Sequence, residues 1–333
     1  MKKKFKASLI SVFLFSYALC GAVSAATFTD TVSQAMNTLA VSKEDPELLM
    51  MTDAPYVKVD NACALPYLDQ AQQLTGCTVG KGNLLFFQRP QAHPLRLMLF
   101  QKKSGRAVVI SRVGQNWLSE TLDLRAATIS TPAFWEKAKT FEAGKDMFSL
   151  AAIANVWARN APYDFLKSAE LHNHICPGLT SGYLIAHYIL AHYPLKKGER
   201  YTVVASPVWC KEDALQVILD CTAGKKGLIV KPLSDGQLKQ VAIDRPAGLV
   251  LVWNEQEKSG RGAALSFDFS QLSALAPKNC PKAATVLSAL SSLDKPEQFV
   301  STAAEFELNQ ERYQQIIQAG RNPYEVLGLL RKQ

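Results

Sequence analysis

Part of this chain is written twice, and that limits its fold more than any other property. In the first half, Leu68-Asp69-Gln70-Ala71-Gln72-Gln73-Leu74 runs through Thr75-Gly76-Cys77-Thr78-Val79-Gly80-Lys81-Gly82 into an apolar segment, Asn83 to Phe87. In the second, Glu212-Asp213-Ala214-Leu215-Gln216-Val217-Ile218-Leu219 runs through Asp220-Cys221-Thr222-Ala223-Gly224-Lys225-Lys226-Gly227 into Leu228 to Val230. Both read as helix, Cys-Thr-x-Gly-Lys turn, strand. Downstream, Lys103-Ser104-Gly105-Arg106 before Ala107 to Ile110 matches Lys258-Ser259-Gly260-Arg261 before Ala263 to Phe267. Asn160-Ala161-Pro162-Tyr163 then matches Asn322-Pro323-Tyr324. Similar segments in the same order imply an internal duplication. Two related lobes are expected, 26–167 and 168–333, packed as an isologous pseudo-dimer.

Each lobe reads as helix, strand, short helix, further strands and terminal helices. Strands are expected at Tyr56 to Val59, Leu95 to Phe100, Tyr201 to Ala205, Gln240 to Ile243 and Leu249 to Trp253, which are rich in branched and aromatic residues between turn formers. Helices are expected over Thr131 to Arg159, Pro177 to Tyr193 and Pro296 to Ala319. Helices and strands in blocks give an α+β fold, each lobe a mixed or antiparallel sheet with packed helices.

Lys2, Lys3, Lys4 and Lys6 precede an apolar run from Leu9 to Leu19 and the small-residue stretch Gly21-Ala22-Val23-Ser24-Ala25. This reads as a signal peptide over residues 1–25 and gives a periplasmic or secreted protein. The run is too short for a permanent anchor and no later segment spans a bilayer, so no stable membrane insertion is expected. Leu19 stands before Cys20 where a small residue is required, which argues against lipid attachment. Removing those four lysines lowers the formal charge from +8 to +4. With no basic runs left, nucleic-acid binding is excluded.

The sharpest chemical signal is Leu171-His172-Asn173-His174-Ile175-Cys176-Pro177-Gly178. Two imidazoles and a thiol alternate along it. Proline suits the first position of a helix, so Cys176 caps the helix that follows. The partial positive charge of a helix N-terminus lowers a thiol's pKa toward the metal-binding thiolate. Cys210, ahead of Lys211-Glu212-Asp213, is placed in the same way. Cys221 would lie at the far end of that short helix, about 16 Å from Cys210, too far for a disulfide or a shared ion. His172, His174, Cys176 and Cys210 are therefore the candidate ligands of one transition-metal ion, and two imidazoles with two thiolates suit zinc.

His172-x-His174-x-Cys176-Pro177-Gly178, Cys210-x-x-Asp213-x-x-Gln216 and Cys221-Thr222-x-Gly224-Lys225 together resemble the FmdE-like family, named after a protein associated with formylmethanofuran dehydrogenase, here in an exported tandem form. The resemblance implies an α+β core, a metal site at the histidine-cysteine motif and a propensity to form a homodimer. The first lobe lacks that motif, and its Cys63 is three residues too early to match Cys210, so this lobe is a degenerate copy without a second metal site.

Two functions follow. One is an exported metal-binding protein that captures or carries a metal ion or small metal-bound ligand. The other is a zinc-type enzyme with an open coordination position, for which Asp213, Lys211 and Lys225 are the nearest acid-base candidates. An even set of six mature cysteines also fits disulfides in an oxidising compartment. Gly76 to Gly82 is one residue short of a phosphate loop and lacks a hydroxyl residue after Lys81, which excludes nucleotide binding. That turn could instead hold a carboxylate, or wall the metal of the other lobe through Cys77 and Lys81. His187 and His192, five apart, do not share a helical face.

Overall fold

The computed structural model describes residues 26–332, so the expected signal peptide lies outside the described residues. Among these, no helix is long and apolar enough to cross a membrane. The fold is α+β.

The first lobe opens with α1 (Phe28–Leu39), started by a Thr27–Asp30 capping box. Next come β1 (Leu48–Thr52), a small hairpin of β2 (Lys58–Val59) and β3 (Ala62–Cys63), and α2 (Leu65–Thr75). The Cys77 turn leads into β4 (Leu84–Phe86), β5 (Arg96–Gln101), β6 (Arg106–Val113) and β7 (Asn116–Asp123). Four helices close the lobe: α3 (Ala126–Ile129), α4 (Pro132–Ala138), α5 (Met147–Ala158) and α6 (Tyr163–His172). The second lobe runs α7 (Pro177–His192), β8 (Glu199–Ala205), α8 (Lys211–Leu219), β9 (Leu228–Val230), α9 (Asp235–Gln240), β10 (Pro246–Asn254) and β11 (Ser259–Phe267). It continues with α10 (Phe269–Ala274), α11 (Lys282–Ala289), β12 (Val300–Asn309), α12 (Gln310–Ile317) and α13 (Pro323–Val326).

The two five-stranded sheets have one topology. The first is ordered β4-β1-β5-β6-β7 and the second, read from the same edge, β9-β8-β10-β11-β12. In each, the edge strand is parallel to its neighbour and all other pairs are antiparallel. The turns agree residue by residue. Gly76 and Gly82 are left-handed in the first lobe, and Asp220 and Lys226 take the same conformation in the second. A Cβ at Gly76 would lie 2.5 Å from Glu44 Cγ, so glycine is needed there on steric grounds as well.

The lobes do not meet as an isologous pair. Met50 pairs with Leu84 and Val203 with Leu228, which makes Met50 and Val203 equivalent positions. Met50, Leu84 and Cys77 pack outward under α1 and α2. Val203, Leu228 and Cys221 instead face inward, in a core shared with Leu49, Met51, Leu150 and Phe165 of the first lobe. The α5–α6 face of one lobe thus packs on the α7–α8 face of the other, while α12 and α13 cover the far side of the second sheet. Each sheet is buried on both faces, so stacking can proceed head to tail without exposing an apolar surface.

Local pattern misleads in several places. Residues 296–319 are not one helix: a 3₁₀ turn leads into the ten-residue β12 before α12. Ala and Glu there favour helix, but pairing with β11 overrides propensity. Thr131 to Arg159 breaks between α4 and α5 around Gly144, where a Cβ would lie 2.6 Å from the Ala138 carbonyl. Of Tyr56 to Val59 only Lys58–Val59 is strand, and of Gln240 to Ile243 only Val241 forms a bridge, to Leu330. The buried run β1 and the exposed edge β7 carry no clear alternation.

Candidate metal centre

The helix that closes the first lobe also delivers the first donor, since the boundary expected near Lys167 falls inside α6. His172 ends α6, and Asn173 turns the chain in the left-handed conformation. Cys176 then caps α7 with extended backbone, its Sγ accepting from the Leu179 amide at 3.3 Å, with Pro177 in the first turn. Cys210 stands at the start of α8. Two glycines bring the helices together: a Cβ at Gly178 would lie 2.9 Å from Cys210 Cβ, and one at Gly182 would lie 2.4 Å from the Lys211 carbonyl oxygen. This approach, rather than sequence proximity, puts Cys210 beside Cys176.

One ligating atom each from His172, Cys176 and Cys210 lies within 4.8 Å of the others, the one such group among the described residues. His172 Nε2 is 3.7 Å from Cys176 Sγ. Tetrahedral zinc with ordinary Zn–N and Zn–S bonds sets that edge at about 3.6 Å, so the donors fit such an ion. His172 Nδ1 donates to Asp213 Oδ2 at 2.7 Å, which orients Nε2 toward the thiols. His174 is not one of the three mutually close donors, but it hydrogen-bonds to Cys176. Its ring lies 4.3 Å from that of His172 and 5.6 Å from Phe148, a residue of α5 in the first lobe.

The electrostatics favour a thiolate. Burial opposes charge on Cys176, but hydrogen bonds from His172, His174 and the Leu179 amide outweigh it and hold the thiol down at about 5. Burial also opposes charge on His172, and hydrogen bonding to Asp213 and Cys176 overcomes this to hold the imidazole up at about 9. Burial and then repulsion from Cys176 push Cys210 up to about 11. Ligation must displace protons from His172 and Cys210.

The surrounding groups are already committed. Lys211 is fully buried over the Trp209 ring, its Nζ donating to Glu212 and to the Pro207 carbonyl. Trp209 donates to Ser181 Oγ at 2.8 Å, tying this segment to α7. Lys225 pairs with Asp220 at the surface. Asp213 is engaged with His172, so none of the three acid-base candidates stands free. In the first lobe, Lys81 donates to the Gly76 carbonyl at 3.0 Å and lies 3.5 Å from the Glu44 carboxylate. Cys77 is buried on the outer side of its sheet, so the expected composite wall does not form there. Beside His172 at the end of α6, the first lobe contributes Phe148, which no sequence pattern marks. All six cysteines of the described residues are free thiols, and Cys63 is exposed on β3.

The family model described as FmdE, Molybdenum formylmethanofuran dehydrogenase operon, matches residues 171–319. The second lobe is an FmdE-like domain. The match begins one residue before His172 and contains all three convergent donors, while residues 26–170 lie outside it. A search of curated proteins gives no match. FmdE-like membership and the His/Cys group agree on metal binding.

Proposed function

We propose that this chain is an exported carrier of one transition-metal ion, zinc by donor type, held by His172, Cys176 and Cys210 with a fourth position open to a small ligand. The observation that supports this reading is the convergence of the three donors His172, Cys176 and Cys210. Export rests on the lysine-led apolar N-terminus. The shared strand order and matching left-handed turn positions support a tandem duplication that keeps one set of ligands, at the junction of the two copies. A zinc-type enzyme is the second reading, favoured by the same open position. Carriage is preferred because Asp213 and Lys211 are already spent on His172 and Glu212.

Elemental analysis of protein recovered from its native compartment tests this. One ion per chain is expected, lost in Cys176→Ser and in Cys210→Ser and retained in Cys63→Ser. Two ions per chain, or loss in Cys63→Ser alone, overturns the assignment.

A further inference from the structure

The helix α7 serves two places. Its N-terminal cap carries Cys176. Eleven residues later, about 16 Å along the axis, His187 lines a separate cleft of about 710 Å³. Pro162, at the start of α6, forms one side and the segment 290–297 between α11 and β12 forms the other. Leu290, Leu293, Ala191 and Pro296 make an apolar wall.

The deep polar group is Tyr183, 4 % exposed. Its ring is held between Phe165, at 5.0 Å, and His187, at 4.3 Å, which leaves the hydroxyl end as its free edge on the cleft. Among the described residues that hydroxyl makes no hydrogen bond, and Tyr183 lines the cleft. Carboxylates flank it: burial first, then the charges of Asp164 and Asp294, push its phenol far above the usual tyrosine range. His187 Nε2 donates to Asp164 Oδ2 at 2.8 Å, fixing that carboxylate. Glu297 adds a further negative charge at the rim, 3.5 Å from His192. No lysine or arginine is among the lining residues.

We propose that this cleft binds a small alkylammonium ion, its charged head at Tyr183 Oη and the Asp294 carboxylate and its alkyl chain along Leu290 and Leu293. An ammonium offers three donors and no acceptor, the complement of a phenol oxygen between carboxylates. An anion is repelled by the same groups. A metal ion lacks a donor set, since the one suitable group among the described residues is at the other end of α7. The site does not depend on the metal-carrier reading.

Calorimetric titration of the full mature chain with n-butylammonium chloride, n-butanol and sodium butyrate tests this. Saturable binding of n-butylammonium alone is expected. Asp294→Asn and Tyr183→Phe should each weaken it about tenfold, equivalent to about 1.4 kcal/mol, and Cys176→Ser should leave it unchanged. Asp294 is exposed, so its variant remains informative if Tyr183→Phe fails to fold. No saturable n-butylammonium binding, equal binding of n-butanol, or an Asp294→Asn affinity matching the parent overturns the proposal.

Discussion

Gly182→Ala probes how the candidate centre is assembled. Its new methyl would lie 2.4 Å from the Lys211 carbonyl oxygen and 2.6 Å from Lys211 Cα. Ordinary carbon–oxygen contacts begin at about 3.3 Å, so relief requires roughly 1 Å of separation. Both obstructing atoms are backbone, and no side chain can swing aside. Helix α8 must shift from α7 and take Cys210 with it. A displacement near 1 Å is several times the ~0.2 Å tolerance of a metal–ligand bond. Two energies compete: alanine in a helix gains about 1 kcal/mol over glycine, and overpacking costs about 1–3 kcal/mol. The net loss is on the order of 1 kcal/mol, small enough to leave the chain folded while metal binding fails. Cobalt(II) titration, followed through thiolate absorption, should show the loss, alongside urea unfolding of metal-free protein. Gly80→Ala is the control, because its Cβ meets nothing within 4 Å. If Gly182→Ala folds and binds cobalt as tightly as the parent, the α7–α8 contact does not position Cys210.

Asp213→Asn removes the carboxylate that orients His172 and should lower metal affinity about 10- to 100-fold in chelator competition. An unchanged affinity would remove Asp213 from the site. Asp53 gives a pH test: its Oδ1 accepts from the Arg96 amide at 2.8 Å and its Oδ2 is buried without a partner. Burial raises it from 3.8 to about 7, against hydrogen bonding and charge from Arg96 and charge from Arg89. A carboxyl raised on folding holds its proton longer in the native state, so stability should fall as pH rises from 3.8 to about 7 and then level off. The fall is bounded at about 4 kcal/mol, and urea unfolding of Asp53→Asn should show a flatter profile across that window. Equal slopes in parent and variant would refute the assignment. Thiol titration of unfolded, metal-free mature protein should find six reactive thiols per chain, and fewer would reveal a disulfide.

Features that depend on a few neighbouring residues are legible in the sequence. Pro177 after Cys176 sets a helix start whose cap is a thiol, because the first turn has free amides and proline has none to lose. The two Cys-Thr-x-Gly-Lys turns announce two lobes of one topology, since a left-handed turn after a helix fixes how the following strand enters its sheet. His172, Cys176 and Cys210 are legible from their caps and spacing. Residues 300–309 are not legible as strand, because helix-favouring Ala and Glu are overruled by pairing with β11.

Which candidates meet is settled in three dimensions. Cys210 reaches Cys176 because Gly178 and Gly182 let two helices touch backbone to side chain, a contact between segments that no local pattern couples. His174, two residues from His172, hydrogen-bonds to Cys176 and packs its ring against Phe148 of α5. The head-to-tail stacking, with Cys77 outside and Cys221 inside, is equally invisible in two nearly repeated sequences. A repeat specifies that both faces of each sheet are apolar. Which face meets the other lobe is settled by the packing of α5 and α6 against α7 and α8, where the burial is shared between separate helices.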